Sequence, residues 1–124
     1  MRIYDVSNSV PFTSRFQIDN ETRVCVVSLT GNLDPGAVDD LHPQVQELVR
    51  AGFRRFVFDL SELEYVGSLG LRLLVGLAHQ VKSDGSVVLC EPKAGVRSII
   101  EITRLDRVLK IYPNRTEAMD AVRS

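Results

Sequence analysis

Residues 56–71 of this chain read FVFDLSELEYVGSLGL. The aromatic and β-branched residues 56–58 favour a short strand. The polar residues 61–64 that follow predict a loop, and from Leu69 to Ser83 apolar residues recur at helical spacing. The segment therefore predicts a strand, a loop and a helix in that order, and the rest of the chain can be interpreted around this unit.

Two strands and a helix are predicted before this unit. Residues 16–18 alternate, residues 19–23 form a turn, and the β-branched run 24–30 predicts a central strand that ends at Gly31. Asp34 is a good N-cap and Pro35 suits the first helical position, so a helix is expected from there to Gly52. Pro43 is expected to bend or restart this helix.

After residue 83 the alternation continues. A strand is predicted at 86–90, a helix at 93–103, a short strand at 108–111 and a final helix that Asn114 or Thr116 caps. Strands that alternate with helices indicate a largely parallel sheet covered by helices. The predicted fold class is α/β, with about five strands in a mixed, mostly parallel sheet and about four helices. The opening hairpin supplies the antiparallel part.

Length and composition favour one soluble domain. The chain has 124 residues, of which 44% are hydrophobic and 25% charged. Residues 1–14 are expected to form an N-terminal edge segment or extension, and residues 15–124 the domain. No apolar run is long enough to cross a bilayer, and the first five residues lack the apolar part of a signal peptide. We therefore expect a cytoplasmic protein without membrane insertion.

The charge balance argues against a nucleic-acid partner. Lysine and arginine number 15 against 16 acidic residues, a net charge of −1, so no basic excess is present to hold a phosphate backbone. Cys25 and Cys90 each lie in an apolar run without a cluster of metal ligands, which predicts buried reduced thiols, no metal site and no cofactor.

Signals for catalysis are weak. Asp59, Glu62 and Glu64 are close in sequence, but acids in a surface loop are common without a catalytic role. His42 and His79 lie on separate predicted helices without a visible orienting partner. We expect no catalytic residue, although a deep pocket lined by the three acids would favour a small enzyme or a nucleotide-binding protein.

The central segment resembles the core motif of STAS domains, the family of bacterial anti-sigma factor antagonists. The family pattern is an apolar strand, Asp-Leu-Ser, a few residues and then Asp-Ser-Ser-Gly-Leu. Four further segments resemble family segments in the same order, so the resemblance covers about residues 15–122. These are residues 27–34, the Glu91-Pro92 and Val96-Arg97 pairs, residues 105–108 and residues 116–118.

The resemblance implies a non-enzymatic protein in a transcription-regulating signalling pathway. Such proteins bind an anti-sigma factor, often a serine kinase with a histidine-kinase-like ATPase fold, and thereby free the sigma factor. The kinase phosphorylates the second serine of the motif, and the phosphate ejects the partner. A dianion in a packed interface acts in this way by repulsion and desolvation.

This chain departs from the family motif at the switch position. When the motif is aligned on Gly70 and Leu71, the family's aspartate corresponds to Gly67, its first serine to Ser68 and its phosphorylated serine to Leu69. Three alternatives follow: a binding module without phospho-control, phosphorylation of Ser68 instead, or a subunit of a signalling scaffold or transport assembly. The alternative role for Ser68 is to cap the helix.

The resemblance also predicts the partner-binding surface, because loops at the carboxyl ends of parallel strands gather at one edge. The eight predicted residues are Asn32, Leu33, Asp34, Tyr65, Gly67, Ser68, Leu69 and Arg72. Leu69 is expected to be exposed, since later residues already supply a core stripe, and Leu73 is expected near the outer side. The expected partner is an anti-sigma factor or a kinase-like ATPase. The sequence leaves the oligomeric state open, and a homodimer is compatible with it.

Overall fold

A computed structural model describes residues 11–123. Within that range lie five strands, four α-helices and one 3₁₀ turn. In chain order they are β1 (Thr13–Asp19), β2 (Val24–Leu33), α1 (Pro35–Arg50), β3 (Arg55–Val66), α2 (Ser68–Val81), β4 (Ser86–Cys90), α3 (Ala94–Ile102), the 3₁₀ turn (Leu105–Arg107), β5 (Lys110–Tyr112) and α4 (Arg115–Arg123). Most of the edge segment predicted for residues 1–14 lies outside the described residues, and its last two residues belong to β1.

The strands form one sheet in the order β1-β2-β3-β4-β5. β1 is antiparallel to β2, and the other neighbours are parallel. This confirms the predicted α/β class with a mixed, mostly parallel sheet. The opening hairpin is also confirmed, with Phe16 opposite Val27.

Helices cover both faces of the sheet. On one face α1, α2 and α3 pack against side chains such as Val27 and Phe58. On the other face α4 packs against Val26 and Val57. Because successive side chains of a strand point to opposite faces, the central strands are apolar at consecutive positions.

Local signals correctly placed the ends of α1. The Asp34 carboxylate accepts a hydrogen bond from the Ala37 N–H at 2.9 Å. At the other end the N–H groups of Gly52 and Phe53 donate to the carbonyls of Val49 and Leu48, the two bonds of a Schellman motif. Gly52 has a φ of 100°, which glycine adopts without strain.

The structure corrects one expectation about α1 and decides between two alternatives for α4. Pro43 does not restart α1, which is a single helix over Pro35–Arg50. Of the two predicted caps of α4, Asn114 is confirmed: its side-chain oxygen accepts from the Glu117 N–H at 2.8 Å, and its amide donates to the Glu117 carboxylate at 3.1 Å. The cap and the acid three residues after it thus interact through side chains, similar to a capping box.

The loop predicted at residues 61–64 is wrong, because β3 runs unbroken to Val66. β2 likewise continues past Gly31 to Leu33, with two shifts of register along the pair. Leu60 and Leu63 are both buried, so apolar contacts continue through a stretch that is polar in composition. Pairing with β2 stabilises the extended conformation that the sequence of β3 alone does not predict.

The two cysteines are free and buried, as expected. Burial raises the pKa of the Cys25 thiol to about 11 and that of the Cys90 thiol to about 12. Both are therefore protonated and unreactive near neutral pH. Between residues 11 and 123 no group of three or more histidine, cysteine or acidic residues could hold a metal ion. Over the same residues, no helix combines the length and the hydropathy that a membrane crossing requires.

Candidate protein-binding surface

The carboxyl ends of β2 and β3 bring the starts of α1 and α2 side by side. Leu33 and Val66, the last residues of the two strands, are paired in register. The Gly67 N–H also donates to the Leu33 carbonyl at 3.2 Å. The residues that open the two helices, Asp34 and Ser68, therefore lie at one edge of the sheet, as the resemblance predicted.

Gly70 allows α2 to approach this edge closely. A Cβ atom at this position would lie 2.9 Å from the Leu33 side chain and 2.9 Å from Val66 Cγ2. Both neighbours are buried and cannot move aside freely. The glycine of the central motif thus has a packing role: it seats the first turn of α2 on the ends of β2 and β3.

Ser68 is the first residue of α2, and the N-cap is Gly67, which supplies no side-chain cap. The capping role considered for Ser68 is therefore wrong, since its side chain is one position too late. Ser68 is exposed to solvent. The Ser68 hydroxyl therefore does not cap α2.

Leu69 is 42% exposed, which confirms the expected exposure at the position of the family's phosphorylated serine. Leu71 and Leu74 point into the core, so the helix is anchored without Leu69. Tyr65 is 53% exposed, and a Cβ at Gly67 would lie 3.0 Å from its hydroxyl. Tyr65 therefore leans over Gly67, and two large side chains flank the exposed start of α2.

An apolar groove between α1 and α2 continues from Leu69. It has a volume of about 500 Å³, and Val38, Leu73 and Leu77 contribute to its walls. Arg72 and His42 supply polar groups to the same groove. Leu73 was expected near the outer side of α2, but it is buried because α1 packs against that face.

The predicted site residues on β2 differ in accessibility. Leu33 is fully buried, so its side chain cannot contact a partner, and the expectation that it does is wrong. Asn32 is half-buried in the strand and lies opposite Tyr65, so it is not part of a loop. Asp34 is exposed while it caps α1. We define the partner surface as Asp34, Tyr65, Ser68, Leu69 and Arg72, the predicted residues that are exposed.

Of the three acidic residues with a weak catalytic signal, Asp59 and Glu64 form ion pairs and Glu62 is exposed to solvent. Asp59 is buried and accepts a hydrogen bond from Arg115 at 2.7 Å, and Glu64 pairs with Lys93 at 3.0 Å. Burial on its own raises the pKa of Asp59, but hydrogen bonds from Arg115 and Ser61 outweigh it, so the pKa lies below its ordinary value of 3.8. Asp59 is thus a paired structural carboxylate. The sequence carried no signal for Arg115 as its partner, because the two residues are 56 positions apart.

Comparison with known proteins identifies the family to which this sequence belongs. The sequence profile of the STAS domain matches residues 15–118, which is most of the chain. The chain belongs to the STAS domain family. Its fold is therefore that of a STAS domain, and in this chain the central motif lies at the β3–α2 junction.

Relatives of this STAS domain carry names from sigma-factor regulation. One relative is BtrV of Bordetella bronchiseptica, which is named as an anti-sigma factor antagonist. The two sequences are 29% identical over 111 residues, which cover 89% of this chain and 96% of BtrV. This chain is 24% identical over 115 residues to the anti-sigma-F factor antagonist RsfB of Mycobacterium tuberculosis, covering 93% and 94% of the two chains. The crystal structure of an anti-sigma factor antagonist from Mycobacterium paratuberculosis superimposes with a TM-score of 0.84 at 27% identity, covering 94% and 99%.

Proposed function

We propose that this STAS domain is a non-enzymatic anti-sigma factor antagonist that binds an anti-sigma factor with a kinase-like ATPase fold. The names of its relatives support the class of partner. The exposed partner surface supports a binding role, since its side chains are not used by the core. Binding there would keep the anti-sigma factor from its sigma factor.

The observation that carries the proposal is the exposure of Leu69. An apolar side chain of this size, 42% exposed beside the exposed Tyr65, loses solvent contact when a partner covers it. Burial of apolar surface contributes about 25 cal/mol per Å². We therefore expect Leu69 to contribute to affinity at the position where the family's serine controls it.

The same residue removes the usual means of release. Leu69 has no hydroxyl, so a kinase partner cannot place a phosphate on it. Gly67 also lacks the carboxylate of the family motif. The proposed antagonist is therefore competent for its partner without dephosphorylation, and its activity depends on its concentration relative to the partner's.

The partner's contact region should match the chemistry of this surface. An apolar pocket would receive Leu69, and an acidic group would pair with Arg72, which is exposed one turn along α2. Charge pairs at the rim of an interface mainly affect association rate and specificity. The groove between α1 and α2 offers further apolar area beside the same contact.

The test is affinity capture from an extract of the native cells with the tagged chain as bait. Recovery of an anti-sigma factor with a kinase-like ATPase domain, identified by mass spectrometry and confirmed by calorimetry with the purified partner, is the expected result. The Leu69→Glu variant serves as matched bait, because a contaminant would bind both. Equal recovery on both baits would contradict the proposed surface.

A second candidate is a STAS subunit of a signalling scaffold or a transport assembly. Leu69 favours it, because such an assembly has no need of a phosphate switch at this position. Recovery of scaffold or transport subunits in the same experiment, with no anti-sigma factor, would establish this function in place of the first.

A further inference from the structure

A second groove lies far from the partner surface, beside the C-terminal part of α2. It has a volume of about 490 Å³ and lies between the end of α2, the first residues of β4 and the segment that leads into β5. The partner surface occupies the carboxyl ends of β2 and β3, whereas this groove adjoins the amino end of β4. The two sites therefore occupy opposite ends of α2.

The lining of this groove is basic. His79, Lys82, Arg107 and Lys110 contribute to it, and none of its lining residues is acidic. None of the four has an ion-pair partner within residues 11–123. A protein of net charge −1, counted with neutral histidines, thus gathers three lysine and arginine side chains and one histidine in one depression.

Acidic residues near the groove are mostly engaged elsewhere. Asp84 pairs with Arg54, and Asp120 pairs with Arg123. Glu101 pairs with Arg97, and Asp106 precedes Arg107 and lies with Lys110 in a smaller neighbouring groove. Of these four acidic residues near the groove, Asp84, Asp120 and Glu101 are in ion pairs with other residues, and Asp106 is not.

The dipole of α2 explains only half of this cluster. Lys82 caps the C-terminus of α2 and His79 lies in its last turn, where cations are favourable. Arg107 and Lys110 come from a separate segment more than twenty residues later and have no such role toward α2. Their convergence with Lys82 is a product of the tertiary fold.

The groove also has apolar walls. Val108 is 41% exposed and lines it together with Tyr112 and residues of β4. A site for a simple inorganic anion needs no exposed valine. The combination of cations with apolar surface fits a polypeptide that carries both acidic and apolar side chains. The slightly acidic surface elsewhere disfavours an extended polyanion such as a nucleic acid.

We propose that this groove binds an acidic segment of a partner protein, with at least one apolar side chain of that segment seated against Val108. This goes beyond the proposed antagonist function, because it is a second interaction surface. A domain with contact sites at both ends of α2 can hold two proteins at once. Since the attraction is electrostatic and exposed, binding weakens as salt is added.

The probe is a synthetic peptide, acetyl-EEDLEED-amide, titrated into the ¹⁵N-labelled full chain and followed by amide chemical shifts. We expect saturable shifts at Lys82, Val108 and Lys110 in 50 mM salt and a clearly weaker affinity in 300 mM salt. The Arg107→Glu/Lys110→Glu variant should bind about tenfold or more weakly, since two attractions become repulsions. The matched Arg15→Glu/Arg50→Glu variant changes two exposed residues outside both the groove and the partner surface. It should bind within about twofold of the wild type, after allowance for the same change in net charge.

Several results would overturn the proposal. They are the absence of shifts at millimolar peptide, equal binding of acetyl-QQNLQQN-amide, and unchanged affinity in the groove variant. Binding to phosphatidylglycerol vesicles without binding to the peptide would assign the groove to a lipid surface instead. If the charge-reversed variant loses its fold by circular dichroism, Arg107→Gln/Lys110→Gln takes its place, and it too should weaken peptide binding.

Discussion

The guanidinium of Arg115 lies 2.7 Å from the Asp59 carboxylate, and this ion pair joins the start of α4 to the middle of β3. The same guanidinium donates to the side chains of Gln17 and Ser28, at 3.0 and 3.1 Å. One side chain therefore connects α4 with β1, β2 and β3. Because Asp59 is buried, loss of Arg115 would leave its carboxylate without the hydrogen bond that offsets its desolvation.

Replacement of Asp59 by asparagine should destabilise the fold by about 1–2 kcal/mol at pH 7, since a hydrogen bond between charged groups is lost while Arg115 stays partly solvated. The folded-state pKa lies below the ordinary value of 3.8, so the wild-type contribution is present above that value and is lost as the pH falls through the folded-state pKa. Urea unfolding at pH 7 and pH 3 should show the two proteins converging at low pH. Asp39→Asn, at an exposed position, is the control, and a difference that persists undiminished at pH 3 would refute this role.

Leu69→Glu should leave the fold intact and weaken partner binding by about tenfold or more, because a charge enters an apolar contact. The measurement is calorimetry with the partner recovered in the capture experiment. Ile18→Glu is a matched control: Ile18 is 41% exposed, against 42% for Leu69, and lies on β1 opposite Cys25, away from the partner surface. Equal losses in both variants would exclude a specific role for Leu69.

Ser68 should incorporate little phosphate when the wild-type chain is incubated with a kinase partner and ATP. It precedes the position that family kinases modify, and Gly67 lacks the motif's carboxylate. The Gly67→Asp/Leu69→Ser variant restores the family pattern and should be phosphorylated at position 69, which shows that the kinase is active. Stoichiometric phosphoserine at Ser68, located by mass spectrometry, would mean that the switch has moved by one residue.

Gly70→Ala should destabilise the protein by about 1–3 kcal/mol, because its Cβ would lie 2.9 Å from Leu33 and Val66 in a packed region. Gly76→Ala on the same helix provides the control, since a Cβ there meets nothing within 4 Å. That variant should gain up to about 1 kcal/mol from helix propensity. Thermal and urea unfolding of both variants test the pair, and equal effects would remove the packing role of Gly70.

Local sequence patterns predicted much of the fold. The Asp34 cap, the Gly52 motif and the apolar spacing of α2 each depend on residues within a few positions of one another. The exposure of Leu69 followed from the same helical periodicity. Such features can be predicted from sequence because the backbone groups at a helix end form hydrogen bonds with residues that are close in the chain.

The site was predicted less completely. The sequence placed the starts of α1 and α2 at one edge of the sheet, where the structure has them, but it placed Leu33 and Leu73 on the surface although both are buried. β3 contributes to the burial of Leu33, and α1 to that of Leu73. The residues adjacent to Leu33 and Leu73 in the chain do not show where these two elements pack. Periodicity shows which residues share a helical face but not how many faces are covered.

The sequence by itself determined the order of strands and helices, most of their limits and the missing hydroxyl at position 69. Only the tertiary structure decided the continuation of β3 through residues 61–64, the Asp59–Arg115 pair and the convergence of Lys82 with Arg107 and Lys110. These features join residues that are distant in the chain. They depend on strand pairing and packing that exist only after the sheet has formed, so a local pattern of residues does not predict them.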